Sequence, residues 1–320
     1  MCDKTAGTRQ ATTFTTMHRD PPPTLFASCN GMTLAYDSFG DPAAPPLVLI
    51  MGLGTQMIAW DEAFCGQLAA RGFRVIRFDN RDIGQSTHLA AAGLPDIGRL
   101  LGQALAGLPI DAASVPYTLA DMAQDTVALL DALGIDGAHV VGASMGGAIA
   151  QEIALRHPQR VRTLVSIMAT SGAPDLPPPR PEALQVLMTP TPTDRAGYVA
   201  RHQQVMKVLR AGSDTHEEAL DAPRAERAYA RGLNPAGYAR QLAAILASGS
   251  RRERLASVRA PTLVIHGDAD PLVPIECGRD VARSVPGARM VTIPHMGHAL
   301  PQSTWAPIVD AIAGHAVQAG

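Results

Sequence analysis

The sequence predicts an α/β protein with a mostly parallel central sheet, helices on both faces of that sheet, and a helical insertion in its second half. Three observations carry this. The run Leu47-Val48-Leu49-Ile50-Met51 is apolar on every residue, as a strand covered on both faces must be. Further runs of this kind alternate with helix-length segments, the order that builds a parallel sheet. The alternation stops at Ser171 and resumes after Ser250, and the gap opens on a proline-dense stretch, Pro174 to Pro181, that no central strand can contain.

In chain order, two strand candidates, Thr24 to Cys29 and Met32 to Asp37, flank Asn30-Gly31, the commonest tight-hairpin signal, and so form an antiparallel edge. After strand Leu47 to Met51 come helix Trp60 to Ala70, strand Arg74 to Phe78, helix Leu119 to Leu133, strand Ala138 to Ala143, helix Gly146 to Arg156 and strand Val161 to Met168. The insertion holds helix candidates such as Asp194 to Arg210, ended by Gly212, and a second with Asn234 as N-cap and Pro235 in the first turn. Strand Thr262 to His266, helix Ile275 to Ser284, strand Met290 to Ile293 and a helix from about Thr304 to His315 complete the pattern. The expected organisation is a polar N-terminal segment over 1–23, a core formed by 24–170 and 251–320, and a helical cap over 171–250.

Composition narrows the function. The chain has 320 residues, 46% of them hydrophobic, enough for one large core. A formal net charge of -2, from 27 basic and 29 acidic residues, provides no field to attract nucleic acid or an acidic membrane surface. The Thr-rich stretch from Met1 to Pro23 has no apolar run suited to a secretory signal, and no later segment is long and apolar enough to span a bilayer. Four scattered cysteines show no CxxC spacing, which argues for free thiols in a cytoplasmic protein. The expected partner is a small molecule, with the chain a monomer or homodimer.

The chemistry starts at Gly142-Ala143-Ser144-Met145-Gly146, where an apolar strand gives way to a helix. In that context the pentapeptide is a nucleophile elbow, a tight turn that raises a serine hydroxyl above the sheet. A serine needs a base to take its proton and a carboxylate to orient that base. Both lie downstream in loops after strands: Gly267-Asp268-Ala269-Asp270-Pro271 offers two acids, and Pro294-His295-Met296-Gly297-His298-Ala299 offers two imidazoles. Asp175, after strand Val161 to Met168, is a further candidate acid. The segment Asp79-Asn80-Arg81-Asp82-Ile83-Gly84-Gln85-Ser86 is rich in charge but reads as structural, with Arg81 suited to a bidentate grip on a carboxylate and its acids and serine to local turn bonds. No metal-ligand spacing, dinucleotide fingerprint or phosphate loop occurs, so no metal or cofactor is expected.

The strings GASMGG, HGDADPLVP and MGHALP resemble the elbow, acid loop and histidine loop of the α/β-hydrolase superfamily over about residues 24–170 and 251–318. Together with LIMGLG, RFDNRDIGQST and IPHMGHALP they are similar to the aclacinomycin methylesterase group of bacterial esterases, which remove a methyl group from an ester on a polyketide. The resemblance implies Asp270 as the acid and His298 as the base. It also implies an oxyanion hole made by the backbone N–H groups of Leu53 and Met145, with Met51 standing where the family commonly has histidine. On this reading the chain is a serine esterase, and Met188, Tyr198 and Met206 of the cap roof a largely apolar cleft. The same triad also serves a lactonase or a cofactor-free perhydrolase or haloperoxidase, and a ligand-binding protein on the same shell is a third class.

Overall fold

The structure, a computed structural model, describes residues 22–318. Of the N-terminal segment expected over 1–23, residues 1–21 lie outside the described residues. The elements in order are β1 (Leu25–Cys29), β2 (Met32–Phe39), β3 (Pro46–Ile50), α1 (Glu62–Ala70), β4 (Arg74–Phe78), α2 (Ile97–Leu105), α3 (Leu119–Ala132), β5 (Ala138–Ala143), α4 (Met145–Arg156), β6 (Val161–Ile167), α5 (Pro181–Met188), α6 (Arg195–Leu209), α7 (Glu218–Arg231), α8 (Pro235–Ala247), α9 (Arg252–Leu255), β7 (Thr262–Gly267), α10 (Ile275–Ser284), β8 (Arg289–Ile293) and α11 (Trp305–Gln318). No described helix is long and apolar enough to cross a membrane.

The eight strands form one sheet in the order β1-β2-β4-β3-β5-β6-β7-β8. β2 runs antiparallel to both β1 and β4, and the remaining neighbours are parallel. The hairpin turn has Asn30 at φ 49° and Gly31 at φ 72°, the two left-handed residues that a type I′ turn needs to match strand twist. Successive strand residues point to opposite faces, and both faces are buried. On one face Val48, Ile50, Ile76 and Val140 pack with Leu119, Met122, Ile149 and Ile153 of α3 and α4. On the other, Leu47, Leu49, Val75 and Val141 meet Phe64 and Leu68 of α1 and Trp305, Ile308 and Ile312 of α11. That double coverage is why the strands read as unbroken apolar runs.

Three helices, α2, α5 and α7, go beyond the elements expected from the sequence. α2 has apolar residues at helical spacing, Ile97, Leu100, Leu101 and Ala104, of which only Leu100 is buried; α5 buries only Ala183, and α7 continues through Pro223.

Helices α5 to α8 lie between β6 and β7 in the chain, and arginines join them to the sheet. Arg240 of α8 reaches Asp82 at 2.7 Å with both side chains sealed from solvent. Arg231, the last residue of α7, meets the buried Asp79 at 2.5 Å, and Arg227 meets Glu62. A buried pair gains little over an apolar replacement, but breaking one side strands a charge, which costs about 3–5 kcal/mol. Arg240→Met is therefore expected to lower stability by about 3–5 kcal/mol in urea unfolding, and a loss below about 1 kcal/mol would show that Asp82 finds water or another donor.

Burial pushes the Glu62 carboxyl upward, but hydrogen bonds from Arg227 and Arg77 outweigh it and hold the pKa at about 2, against 4.5 for the free group. A depressed carboxylate contributes stability that is present above its unfolded pKa and lost as pH falls through the folded one. Wild type is therefore expected to exceed Glu62→Gln in stability at pH 6, with the gap closing as the pH falls from 4.5 toward 2. A gap independent of pH would refute the pairing.

Candidate active site

β5 is buried along its whole length and ends at the centre of the sheet's carboxyl edge. The next residue, Ser144, has φ 55° and ψ -120°, a left-handed conformation that costs a non-glycine residue on the order of 1–3 kcal/mol and persists only where its surroundings enforce it. Its N–H donates to Ile167 of β6 at 2.9 Å, and its carbonyl accepts from Gly147 and Ala148 in the first turn of α4. The flanking glycines permit the crossing: a Cβ on Gly142 would lie 2.0 Å from the Gly146 carbonyl oxygen, and one on Gly146 would lie 2.1 Å from that of Ile50.

His298, in the loop after β8, places Nε2 2.9 Å from Ser144 Oγ and Nδ1 2.8 Å from Asp270 Oδ2. The other Asp270 oxygen accepts the N–H groups of Leu272 and Val273 at 2.9 and 2.8 Å. Asp270 has acceptors only, so a hydrogen on Nδ1 satisfies it and leaves the Nε2 lone pair facing the serine hydroxyl. Asp270 and His298 are buried and Ser144 is half-buried. The backbone N–H of His298 donates to Leu209 at the end of α6, at 2.7 Å, so the inserted helices support the imidazole loop.

The rival residues lie elsewhere. Asp268 is exposed and accepts the His295 N–H at 2.6 Å, and His295 is itself exposed. Asp175, two-thirds exposed, pairs with Arg252 at 2.7 Å. His266 is buried under the acid loop, with Nε2 2.7 Å from the Val273 carbonyl and 3.6 Å from Asp270 Oδ2. Burial holds its pKa below the ordinary imidazole value.

Met145 is the first residue of α4, so its N–H has no partner within the helix. The loop after β3 passes directly over Ser144: a Cβ on Gly52 would lie 3.2 Å from Ser144 Cβ and 3.6 Å from Oγ. There Gly52 to Thr55 form a turn closed by Thr55 N–H to the Gly52 carbonyl at 3.3 Å. Among the described residues, neither the Leu53 nor the Met145 amide donates to a protein acceptor. Met51 places no ring here; its side chain is buried in the core and its carbonyl accepts Asn80 Nδ2 at 3.0 Å. Met188 ends α5, Tyr198 and Met206 lie on α6, and all three are half-buried. The Tyr198 ring packs on Tyr229 at 5.9 Å and on His202 at 6.4 Å.

The segment read as a set of local turns does more than that. Asp79 and Asp82 do bind nearby backbone, at Gln85 and Leu89, but they also receive Arg231 and Arg240 from the insertion. Arg81 grips Asp125 through two nitrogens, as its residue type allows. Asn80, Gln241 and the Leu209 carbonyl, which hold the site's loops, carry no sequence signal because each acts on a partner distant along the chain.

A family model described as alpha/beta hydrolase fold matches residues 45–301. The chain is 32% identical to rhodomycin D methylesterase DauP of Streptomyces sp. strain C5, over 92% of this chain and 98% of that protein. It is equally similar, over the same shares, to rhodomycin D methylesterase DnrP of Streptomyces peucetius. Among solved structures, a hydrolase from Pseudomonas aeruginosa PA01 superposes with a TM-score of 0.65 at 28% identity, covering 92% of this chain and 97% of that one.

The crossing of β5, α4 and β3 sets an expectation. Gly146→Ala inserts a methyl against backbone that cannot rotate away, and should cost at least about 1–3 kcal/mol while slowing fluorophosphonate labelling of Ser144. Wild-type melting and labelling in that variant would mean the crossing tolerates a side chain.

Proposed function

The chain belongs to the alpha/beta hydrolase fold family, and from that premise we propose a carboxylic ester hydrolase that works through an acyl-enzyme on Ser144. The observation that carries the reading is the unbroken chain of contacts from Ser144 Oγ to His298 Nε2 at 2.9 Å and from His298 Nδ1 to Asp270 Oδ2 at 2.8 Å. As Oγ attacks the ester carbonyl, Nε2 takes its proton, and the charge gained by the ring is balanced by Asp270. The carbonyl oxygen becomes an oxyanion facing the Leu53 and Met145 N–H groups, whose fixed directions stabilise it by roughly 3 kcal/mol for each donor. His298 then returns the proton to the departing alcohol. Water enters, gives a proton to the same nitrogen and attacks the acyl-enzyme, releasing the acid and the serine.

The substrate class is proposed from the relatives and from the inserted helices. We assign 24–170 and 251–320 to the catalytic core and 171–250 to a cap that selects the acyl group, with Met188, Tyr198 and Met206 as lining residues. The Streptomyces relatives are methylesterases by name, so a methyl ester of a small to medium carboxylic acid is the substrate we propose. The described cysteines, Cys29, Cys65 and Cys277, are unpaired, which supports a reducing, cytoplasmic setting; we further propose a monomer or homodimer that requires no cofactor.

Turnover of p-nitrophenyl acetate and of a panel of methyl esters and lactones tests this. Ser144→Ala should remove turnover altogether, and Asp270→Asn, which turns the ring to the wrong tautomer, should lower kcat about 10⁴-fold with the fold intact. Undiminished turnover in Ser144→Ala would refute the mechanism.

A further inference from the structure

In the loop that follows β3, the turn Gly52-Leu53-Gly54-Thr55 has its only left-handed residue at Gly54, with φ 67°. That places it as a type II turn, with glycine at the third position. Types I and II differ by a flip of the central peptide, here the one joining Leu53 to Gly54. Both ends of that peptide are held. Thr55 Oγ1 donates to the Leu53 carbonyl at 3.1 Å, and the Gly54 N–H donates to Oε1 of Gln241 at 2.9 Å.

Gln241 lies on α8 within the inserted helices, 187 residues from Gly54 in sequence, and is fully buried. Its other amide atom is also used: Nε2 donates to the Arg81 carbonyl at 2.8 Å. The side chain therefore bridges two loops at the sheet's carboxyl edge, the one over Ser144 and the one after β4. Three residues earlier on the same face of α8, the Tyr238 ring presses on the same glycine, with Cδ2 2.3 Å from where a Gly54 Cβ would be. The Tyr238 hydroxyl is fixed by donating to the Leu187 carbonyl at 2.7 Å. From the other side, Asn80 Nδ2 holds the Met51 carbonyl at 3.0 Å. Every neighbouring peptide of the loop is thus tied down, while the Leu53 N–H has no protein acceptor among the described residues.

Resting on the ester-hydrolase reading, we infer that Gln241 is a positioning residue of the oxyanion hole: by fixing the Leu53–Gly54 peptide it holds the turn closed by Thr55 N–H on the Gly52 carbonyl, and so keeps the preceding Gly52–Leu53 peptide, which carries the Leu53 N–H, facing the developing oxyanion. A helix of the inserted segment then completes the catalytic machinery. A donor aimed at a charge that exists only in the transition state raises kcat without tightening substrate binding. Loss of Gln241 should therefore be felt in kcat more than in KM.

The test compares wild type with Gln241→Met, similar in volume but unable to form either hydrogen bond. Two quantities are read: p-nitrophenyl acetate turnover per site titrated by a fluorophosphonate, and Ki for an aryl trifluoromethyl ketone, whose adduct with serine carries an oxyanion. The expected result is a fall in kcat of about tenfold, smaller than the loss when a donor is removed outright. KM should stay within about twofold, and the ketone Ki should rise in proportion to the fall in kcat/KM. A residue of purely structural importance would lower the melting temperature and the titratable fraction and leave kcat per titrated site and Ki unmoved; that result overturns the inference. Should Gln241→Met fail to fold, Gln241→Asn decides by the same two readouts, since its amide is one methylene too short to span Gly54 and Arg81 together. A wild type that neither turns over the ester nor titrates would remove the ester-hydrolase reading itself. An active wild type beside an unchanged variant removes only the role of Gln241.

Discussion

The burial of two carboxylates, Asp79 and Asp82, at the end of β4 is the constraint on which the rest of the molecule depends. Neither side chain has access to solvent, and a buried anion without a partner is too costly to keep. Backbone N–H groups from Met57, Gln85 and Leu89 satisfy part of their capacity, and the Tyr117 hydroxyl donates to Asp82. The neutralising charge comes from Arg231 and Arg240, about 150 residues onward, at 152 and 158 positions' separation. The inserted helices cannot leave the sheet without uncovering both anions. Their placement over the carboxyl edge is thus an electrostatic necessity.

That placement governs the site twice. α6 ends with the Leu209 carbonyl accepting the His298 N–H, and Glu217 accepts the Gln302 N–H in the same loop. α8 supplies the side chain that holds the turn above Ser144. The histidine loop and the turn facing the serine are therefore both braced from the insertion, whereas the serine is braced from the sheet. The left-handed backbone at Ser144 is maintained by the close crossing of β5, α4 and β3, where a carbonyl occupies the space of each missing methyl. Strain of this kind is a small fraction of what the surrounding apolar burial contributes, since each fully buried Val, Leu or Ile adds about 1.5–3 kcal/mol.

Legibility in the sequence followed the range of the interactions. The strand runs were readable because each residue reports its own burial, and Val48 and Leu49 are apolar for opposite faces of one sheet. The elbow was readable because its two glycines flank the serine at fixed spacing, Gly142 against the Gly146 carbonyl four residues on, although the carbonyl that crowds Gly146 belongs to the distant Ile50. The order of serine, acid and histidine in loops after β5, β7 and β8 narrowed the candidates to Ser144, two acids and two imidazoles, the family resemblance pointed to Asp270 and His298, and the distances at which they meet are structural facts beyond both. The helix over Ile97 to Leu105 does carry apolar residues at helical spacing, Ile97, Leu100, Leu101 and Ala104, but it is short and stands among glycines and a proline that read as loop. The charged run from Asp79 to Ser86 was legible as structural but not as the anchor of the insertion, because its cations are elsewhere in the chain.

By itself the sequence determined the fold class, the succession of strands and helices along the chain and a short set of candidate side chains, since periodicity and glycine placement are local records of burial and close approach. Only the tertiary structure decided what surrounds them: which acid and which imidazole meet the serine, which arginine closes which carboxylate, and that a glutamine on an inserted helix grips the turn over Ser144. Those outcomes depend on distances between groups far apart in the chain, and a hydrogen bond made across 187 residues leaves no pattern in either stretch of sequence that makes it.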